Sequence, residues 1–263
     1  MGHRSAYYCH LMAKAKGFDE FQRCILAAMG KEIHPLLKED WAPMAEVIGN
    51  HVLGLPGPTE LNRARTGRQL HVGKIFQGFT EIMKSIDTLH LIEMCIGKPP
   101  TAGLSISQDR YLQFFYEAYL HEFYILQQRL LRYLKTIERQ FRRCSQSAEV
   151  RPKCERVSKL VTQVLEPMVK IRGSHVHVIR AYDKGIDRLG TLTLLTNSSD
   201  TKFVSSIQIL LRQESRKIRK EWKRRVKDYN IATGDLLDVY FEVLKPLIFE
   251  NDDAVKYPSR LKF

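Results

Sequence analysis

Apolar residues recur at three- and four-residue steps along most of the chain, which is the spacing of one face of an α-helix. The clearest run covers residues 112–141, and a second long run covers residues 72–89. Gly97 and the two prolines after it supply the usual stop signal for the second run. No sustained alternation of apolar and polar residues marks a half-buried strand. The pattern therefore predicts an all-α protein built as a multi-helix bundle.

Shorter helices are predicted on either side of these two runs. Pro35 and Pro43 are expected to divide residues 18–54 into two or more short helices, because proline lacks the amide hydrogen that a helix interior uses. Pro167 is expected to kink the helix that leads to Arg172. The other predicted helices are a short one at 186–195 within a loop, one at 203–229, and a last one through Leu247 that is capped by Thr233 or Asp235.

The chain is long enough, at 263 residues, to bury one large core without disulfides or metals. GLPGP at 54–58 predicts a loop after the first helical region. We therefore expect a single all-α domain over 1–263, with 1–58 as an N-terminal helical extension. The first 30 residues do not resemble a signal peptide, and no apolar run reaches the roughly 20 residues that span a bilayer. A cytoplasmic protein without membrane contact is expected.

Five scattered cysteines form no CxxC pair, so neither a disulfide framework nor a zinc site is predicted. The sequence also lacks a P-loop, a dinucleotide-binding glycine fingerprint and an HExxH pair. No metal and no cofactor are expected. The net charge of +13 is more informative, because basic proteins favour polyanionic partners whose phosphates release counterions on binding.

Basic residues are concentrated in the predicted helix 203–229, with nine between Arg212 and Lys227. Such a row can follow a phosphate backbone, whereas the alternative is an ordinary solvated helix face rich in good helix formers. The candidate nucleic-acid contacts are Arg180, Arg216, Arg219, Lys223 and Arg224.

Three arginines precede a histidine at the spacing that we consider for RNA cleavage: Arg4 with His10, Arg65 with His71, and Arg172 with His177. The first pair lies near the N-terminus, where residues are often poorly packed. The second lies in a polar, arginine-rich helix entry and is interpreted as surface. Only the third follows a long apolar helix, in which the glycine after Arg172 is expected to make a break. Arg172 and His177 are therefore the candidate catalytic pair, with Ser174 and His175 in possible supporting roles.

The chemistry of the third pair is metal-independent RNA cleavage. A histidine with a pKa near neutrality can take the proton of a ribose 2′-hydroxyl, and an arginine can stabilise the charge of the pentavalent phosphate. Five positions on a regular helix turn about 140° past a full revolution, so a continuous helix would point the two residues to different faces. A local helix break at Gly173 is expected, because it would let the side chains of Arg172 and His177 converge. If the helix continued instead, His175 would share the face of Arg172.

The sequence RGSHVH at 172–177 resembles the R-x4-6-H motif of HEPN domains, a family of all-α proteins of which many are ribonucleases in toxin–antitoxin and anti-phage systems. The resemblance extends in architecture over about 65–250, which would be a HEPN-like core. It implies that Arg172 binds the scissile phosphate and that His177 acts as base or acid. It also implies a homodimer with one composite active site. Gly173 stands where the family commonly has a polar residue, often Asn.

The leading hypothesis is therefore a HEPN-type, metal-independent endoribonuclease with RNA as substrate. By resemblance, it would act as a toxin or as a defence component, with an antitoxin or regulatory protein as a further partner. The alternative is a non-catalytic helical protein, a degenerate HEPN relative that binds RNA or a partner protein. Gly173 and the spread of positive charge favour that alternative.

Overall fold

The computed structural model describes residues 16–39, 66–100, 106–142, 144, 146–177, 183–198 and 201–258. Within these residues the protein consists of six helices and a two-stranded antiparallel ribbon, so the predicted all-α, multi-helix fold is confirmed. The helices are α1 (Lys16–Glu39), α2 (Gly67–Ile96), α3 (Gln108–Phe141), α4 (Ser147–His177), α5 (Lys184–Ser198) and α6 (Thr201–Ile248). The strands are β1 (Phe249–Asn251) and β2 (Ala254–Val255), in which Phe249 pairs with Val255.

Two of the predicted helix divisions are wrong. Helix α1 continues through Pro35 as a single element, and Pro43 lies outside the described residues. The two helices expected at the C-terminal end are one helix of 48 residues, α6. Thr233 does not cap a helix, because its hydroxyl donates a hydrogen bond to the carbonyl oxygen of Tyr229, one turn earlier in the same helix. A hydroxyl that donates to a carbonyl of the preceding turn is not accepting from the backbone N–H groups of a following first turn, as a helix N-cap would.

The chain divides into two units that share four of the helices. Unit 1 contains Glu81–Leu131 and Lys159–Leu236, and unit 2 contains Lys14–Thr80, Arg132–Ser158 and Leu237–Phe263. The prediction of a single domain with an N-terminal extension stays a prediction.

Unit 1 is organised by the packing of α3 against α6. The rings of Tyr116 and Trp222 have centroids 4.6 Å apart, and the buried hydroxyl of Tyr119 donates to Asn230 Oδ1 at 2.9 Å. The amide of Asn230 in turn donates to a carboxylate oxygen of Glu93 at 2.7 Å. Burial raises the pKa of the Tyr119 hydroxyl, which therefore stays protonated and keeps this network intact at physiological pH.

Unit 2 contains a cluster of phenylalanine rings with centroid distances of 4.6 to 6.0 Å, made by Phe18, Phe21, Phe79 and Phe241. All four rings are buried, and each buried ring of this size contributes about 1.5–3 kcal/mol to stability. The cluster joins the start of α1 to α2 and α6. Asp238 of α6 reinforces the contact, because its carboxylate accepts hydrogen bonds from the backbone amides of Gly17 and Phe18 at the first turn of α1.

Candidate functional site and basic helix face

The candidate motif lies on the last two turns of α4, which is a continuous helix from Ser147 to His177. The helix break expected at Gly173 is therefore wrong, and the helix also continues through Pro167. A single glycine in a helix interior costs only about 1 kcal/mol relative to alanine, which neighbouring turns can absorb.

Helical geometry then fixes the register of the motif. Positions 172 and 177 differ by about 140° around the helix axis and by about 7.5 Å along it, whereas positions 172 and 175 differ by only about 60° and 4.5 Å. Position 175 therefore shares the face of Arg172, and position 177 does not. The side chains of residues 173–177, which include Ser174, His175 and His177, lie outside the described part of the structure, as does all of Arg180.

The Arg172 side chain is half-buried against α3. Its guanidinium carbon lies 4.3 Å from the centroid of the Tyr124 ring, which is the geometry of a cation–π contact. Its Nε atom is buried without a hydrogen-bond partner among the described residues, and no described carboxylate lies within ion-pair distance. Among the described residues, the Tyr124 ring is the contact that positions the guanidinium, and no carboxylate there neutralises its charge, which suits the binding of an anion.

Tyr124 is a residue of this site that the sequence did not reveal. It lies on a different helix from Arg172, and the regular apolar spacing of α3 gives no sign of the pairing. His121 lies one turn before Tyr124 on the same helix, and it is exposed. Residues three apart on a helix are neighbours on its surface, so His121 lies beside Tyr124 on α3.

Helices α3 and α6 run parallel in unit 1. Gln108 contacts Ser215 and Arg219, Tyr116 contacts Trp222, and further along α3 Tyr119 contacts Val226. Tyr124 therefore lies about 7.5 Å beyond the level of Val226 along the common axis. The basic segment of α6 ends at this level, within about two helical turns of Tyr124.

Seven of the nine basic residues between Arg212 and Lys227 are exposed. Five of the seven follow one another at four-, four-, three- and four-residue steps, and they therefore lie on one face of α6. These five residues form what we call the basic stripe: Arg212, Arg216, Lys220, Lys223 and Lys227. The stripe is about 22 Å long. Of the residues selected from the sequence, Arg216 and Lys223 belong to it.

The other predicted contacts on α6 make internal interactions. Arg219 is half-buried and donates to the side-chain oxygens of Gln108 and Ser215, and burial followed by the nearby charge of Arg216 lowers its pKa. Arg224 is exposed but forms an ion pair with Asp228 at 3.0 Å. The guanidinium of Arg225 pairs with Glu221 and lies over Trp222. The Lys223 stem packs on Gly97, where a β-carbon would lie 2.7 Å from Lys223 Cδ, and its ammonium group remains exposed.

His71, which the sequence assigned to the surface, is buried in unit 2 with 1% of its area exposed. Its Nε2 donates to the backbone carbonyl of Lys256 at 3.0 Å, and the rings of Phe141 and Tyr257 contact it edge to face. Burial lowers the pKa of His71 to about 4. The surface interpretation is wrong, and a neutral, enclosed imidazole of this kind is a packing residue.

Arg129 of α3 takes part in a partly buried network. Arg129 donates to Ser85 Oγ at 2.6 Å, and it forms ion pairs with Glu81 at 3.2 Å and with the buried Glu122 at 3.6 Å. Arg129 is thus needed inside unit 1 to balance Glu122. An unpaired buried carboxylate would be costly, so this arginine is structural.

Among the described residues, no group of three His, Cys, Asp or Glu side chains could hold a metal ion. The described helices include none that is long and apolar enough to cross a membrane. No protein-family description matches the sequence, no curated protein is significantly similar to it, and no solved structure matches its fold.

Proposed function

We propose that this protein is a metal-independent endoribonuclease with Arg172 at the centre of its active site. The observation that carries the proposal is the guanidinium of Arg172, fixed over Tyr124 at a helix end where positions 175 and 177 are both histidine. Arginine and histidine are the residue types that supply the two functions required for cleavage by the 2′-hydroxyl, namely charge stabilisation and proton transfer.

The reaction is an in-line transfer at phosphorus. One histidine takes the proton of the ribose 2′-hydroxyl, and the 2′-oxygen forms a bond to the phosphorus. The bond from phosphorus to the 5′-oxygen breaks, and a second, protonated histidine donates a proton to that leaving oxygen. Arg172 stabilises the phosphorane between these two events. The products carry a 2′,3′-cyclic phosphate and a 5′-hydroxyl.

Two histidines with different roles are available in this arrangement. Position 175 lies on the face of Arg172, so His175 is assigned to the phosphate bound there. Position 177 faces another direction, and the resemblance to HEPN domains implies that a second copy of the chain completes the site from that side. His177 would then act on the phosphate bound by the Arg172 of the other copy.

The test is cleavage of labelled single-stranded RNA in EDTA, with the ends analysed for 2′,3′-cyclic phosphate. Arg172→Ala, His175→Ala and His177→Ala should each lose activity, by a factor of about 10²–10³ for the arginine. Arg151→Ala is the matched control, because Arg151 is exposed and forms an ion pair with Glu155 within one helix. Cleavage that is equal in all four variants would eliminate the site.

The second candidate function is RNA binding without turnover, and the basic stripe favours it. Exposed cations in one line can follow a phosphate backbone and release its counterions. Fluorescence polarisation with labelled RNA at several salt concentrations tests this function. Changing Lys220, Lys223 and Lys227 together to Gln should weaken binding and reduce the salt slope by about 2, since each single-strand contact contributes about 0.7.

A control with the same charge change separates the stripe from net charge. Lys84 and Lys170 are exposed and Lys153 is partly exposed, and all three form ion pairs with glutamates on their own helices. Their combined change to Gln should leave the salt slope nearly unchanged. An equal loss of binding in both triple variants would assign binding to overall charge rather than to the stripe. Binding by the stripe with intact RNA would favour this second function over the nuclease.

A further inference from the structure

The part of helix α3 that belongs to unit 1 exposes its side chains along a single line. Of residues 108–131, all of which the structure describes, four are exposed. They follow one another at steps of four, seven and seven residues, which keeps them within about 40° of each other around the helix axis, over a length of about 27 Å. We call these four residues the α3 line: Arg110, Phe114, His121 and Gln128.

The α3 line passes beside the Arg172 site. Tyr124 lies between His121 and Gln128 along the helix axis, and about 40–60° to one side of them. The guanidinium carbon of Arg172 lies 4.3 Å from the centroid of the Tyr124 ring. Phe114 precedes Tyr124 by about 15 Å along the axis. A phosphate bound at Arg172 would therefore lie next to the line, a few nucleotides of an extended strand away from Phe114.

The Phe114 ring is supported by its neighbour and is open to solvent. Its centroid lies 5.3 Å from that of the Phe115 ring, at an interplanar angle of 83°, and Phe115 in turn contacts Tyr111 at 4.8 Å. Phe115 is half-buried, whereas Phe114 is 63% exposed. An aromatic ring that is held in place and still accessible is a surface on which an unpaired base can stack.

The carboxylates of this part of α3 do not lie on the line. Asp109 accepts a hydrogen bond from a threonine of α5 at 3.1 Å, and Glu117 accepts one from a glutamine of its own helix at 2.6 Å. The buried Glu122 forms an ion pair with Arg129 at 3.6 Å. The line itself contains no acidic residue, and no described carboxylate forms an ion pair with Arg110. An anionic strand therefore meets no exposed negative charge along the line.

We propose that the α3 line binds unpaired RNA, with one base stacked on the Phe114 ring and a phosphate of the same strand held at Arg172. The proposal rests on the proposed function, because Arg172 fixes the place of that phosphate, and it adds the selection of single strands. Arg110 binds a phosphate beyond the stacked base. Bases within a duplex are stacked on each other and cannot reach the ring.

A protein partner fits this surface less well than a nucleic acid does. A protein-docking surface requires a contiguous exposed apolar patch. On the α3 line the exposed aromatic ring lies between an arginine and a histidine, and Gln128 follows. Cationic groups that alternate with an aromatic ring suit the alternation of phosphates and bases in a single strand.

The experiment compares single-stranded RNA with a duplex of the same sequence by fluorescence polarisation. Phe114→Leu removes the ring but keeps an apolar side chain, and it should weaken single-strand binding by about five- to hundredfold, the usual loss for one stacked base. This factor should be the same at every salt concentration, and duplex binding should not change. Arg110→Gln should instead reduce the salt slope by about 0.7. Phe203→Leu is the matched control, since Phe203 is 70% exposed on α6 and lies outside the line.

A second measurement locates the stacked base. A single abasic nucleotide is moved along the RNA one position at a time, and binding and cleavage are measured for each RNA. The wild-type protein should lose affinity at one position, at a constant distance from the cleaved bond, and Phe114→Leu should be insensitive at that same position. In cleavage, the loss should appear as a higher KM with a nearly unchanged kcat, because stacking is a binding interaction remote from the reacting phosphate.

The outcomes separate this proposal from the nuclease itself. Wild-type cleavage with unchanged KM and affinity in Phe114→Leu would reject the α3 line and keep the nuclease. Binding through Phe114 of RNA that stays intact would reject the nuclease and keep the line. An equal loss of binding in Phe203→Leu, an equal loss on the duplex, or the absence of any abasic-sensitive position would each overturn the role of Phe114.

Discussion

His71 and Arg172 both come from an arginine–histidine spacing in the sequence, yet their surroundings differ in every physical respect. His71 is enclosed by Phe141 and Tyr257, holds a backbone carbonyl, and is neutral because burial lowers its pKa to about 4. Arg172 is half-exposed, and its guanidinium lies over the Tyr124 ring. The same short pattern thus marks a packing residue in one place and a candidate anion site in the other. Burial and charge balance separate the two cases.

The largest expected effect is on RNA cleavage, and it tests the proposed role of Arg172. Arg172→Ala should reduce RNA cleavage by about 10²–10³-fold, equivalent to about 3–4 kcal/mol of transition-state stabilisation. Arg172→Lys should recover only a small part of the rate, because a lysine lacks the planar fork that binds two phosphate oxygens. Single-turnover rates in EDTA are the measurement. A lysine variant with the wild-type rate would show that charge alone is needed there.

The burial of His71 predicts that the stability of the protein depends on pH. The folded pKa of His71 is about 4, below the ordinary value of 6.5, so the unfolded chain binds the proton more readily than the folded one. The stabilising contribution is therefore complete above pH 6.5 and decreases as pH falls towards 4, by about 3 kcal/mol over this range. Urea unfolding at several pH values measures it.

His71→Gln provides the control for this pH dependence. The glutamine amide can still donate to Lys256, but it does not titrate between pH 4 and 6.5. The difference in unfolding free energy between the wild-type protein and this variant should therefore change with pH in that window and stay constant above it. A difference that is independent of pH would mean that His71 is not enclosed as described.

A smaller effect is expected at a glycine that allows close packing in unit 2. A β-carbon on Gly78 would lie 2.3 Å from Tyr133 Cδ2, whereas a β-carbon on Gly73 of the same helix meets nothing within 4 Å. Gly78→Ala should destabilise the protein by about 1–3 kcal/mol through overpacking. Gly73→Ala should stabilise it by about 0.5–1 kcal/mol through helix propensity. Equal urea midpoints for the two variants would contradict the close contact.

The smallest predicted effect concerns the Tyr124 ring that lies under the guanidinium of Arg172. Tyr124→Leu should cost about 0.5–1 kcal/mol of stability, the usual value of a partly exposed cation–π contact. Because the ring positions the guanidinium for RNA, the cleavage rate should fall by more than the loss of unfolding free energy accounts for. The cooperativity of unfolding should not change. Tyr124→Phe keeps the ring face and should retain most of the activity. Thermal unfolding and cleavage rates, measured on the same preparations, compare the two variants.

Much of the fold could be predicted from the sequence, because helical periodicity is a local property. The ends of α2 and α3 agree with the apolar runs and with the stop signal at Gly97. The errors were at single residues used as boundaries: Pro35, Gly173 and Thr233 all lie within continuous helices. Each has an unfavourable helix propensity, but propensities of about 1–3 kcal/mol per residue are outweighed by the packing of a long apolar face.

The sequence by itself determined the helical class of this protein, its positive charge and the residue types at position 172 and the two histidine positions after it. Only the tertiary structure decided that Tyr124 lies under Arg172, that His71 is buried, and that the cations of α6 divide into an exposed stripe and internal pairs. The physical reason is that periodicity and charge belong to the chain itself. Burial, pairing and solvent exposure depend on which helix lies opposite, and that information is spread over residues far apart in sequence.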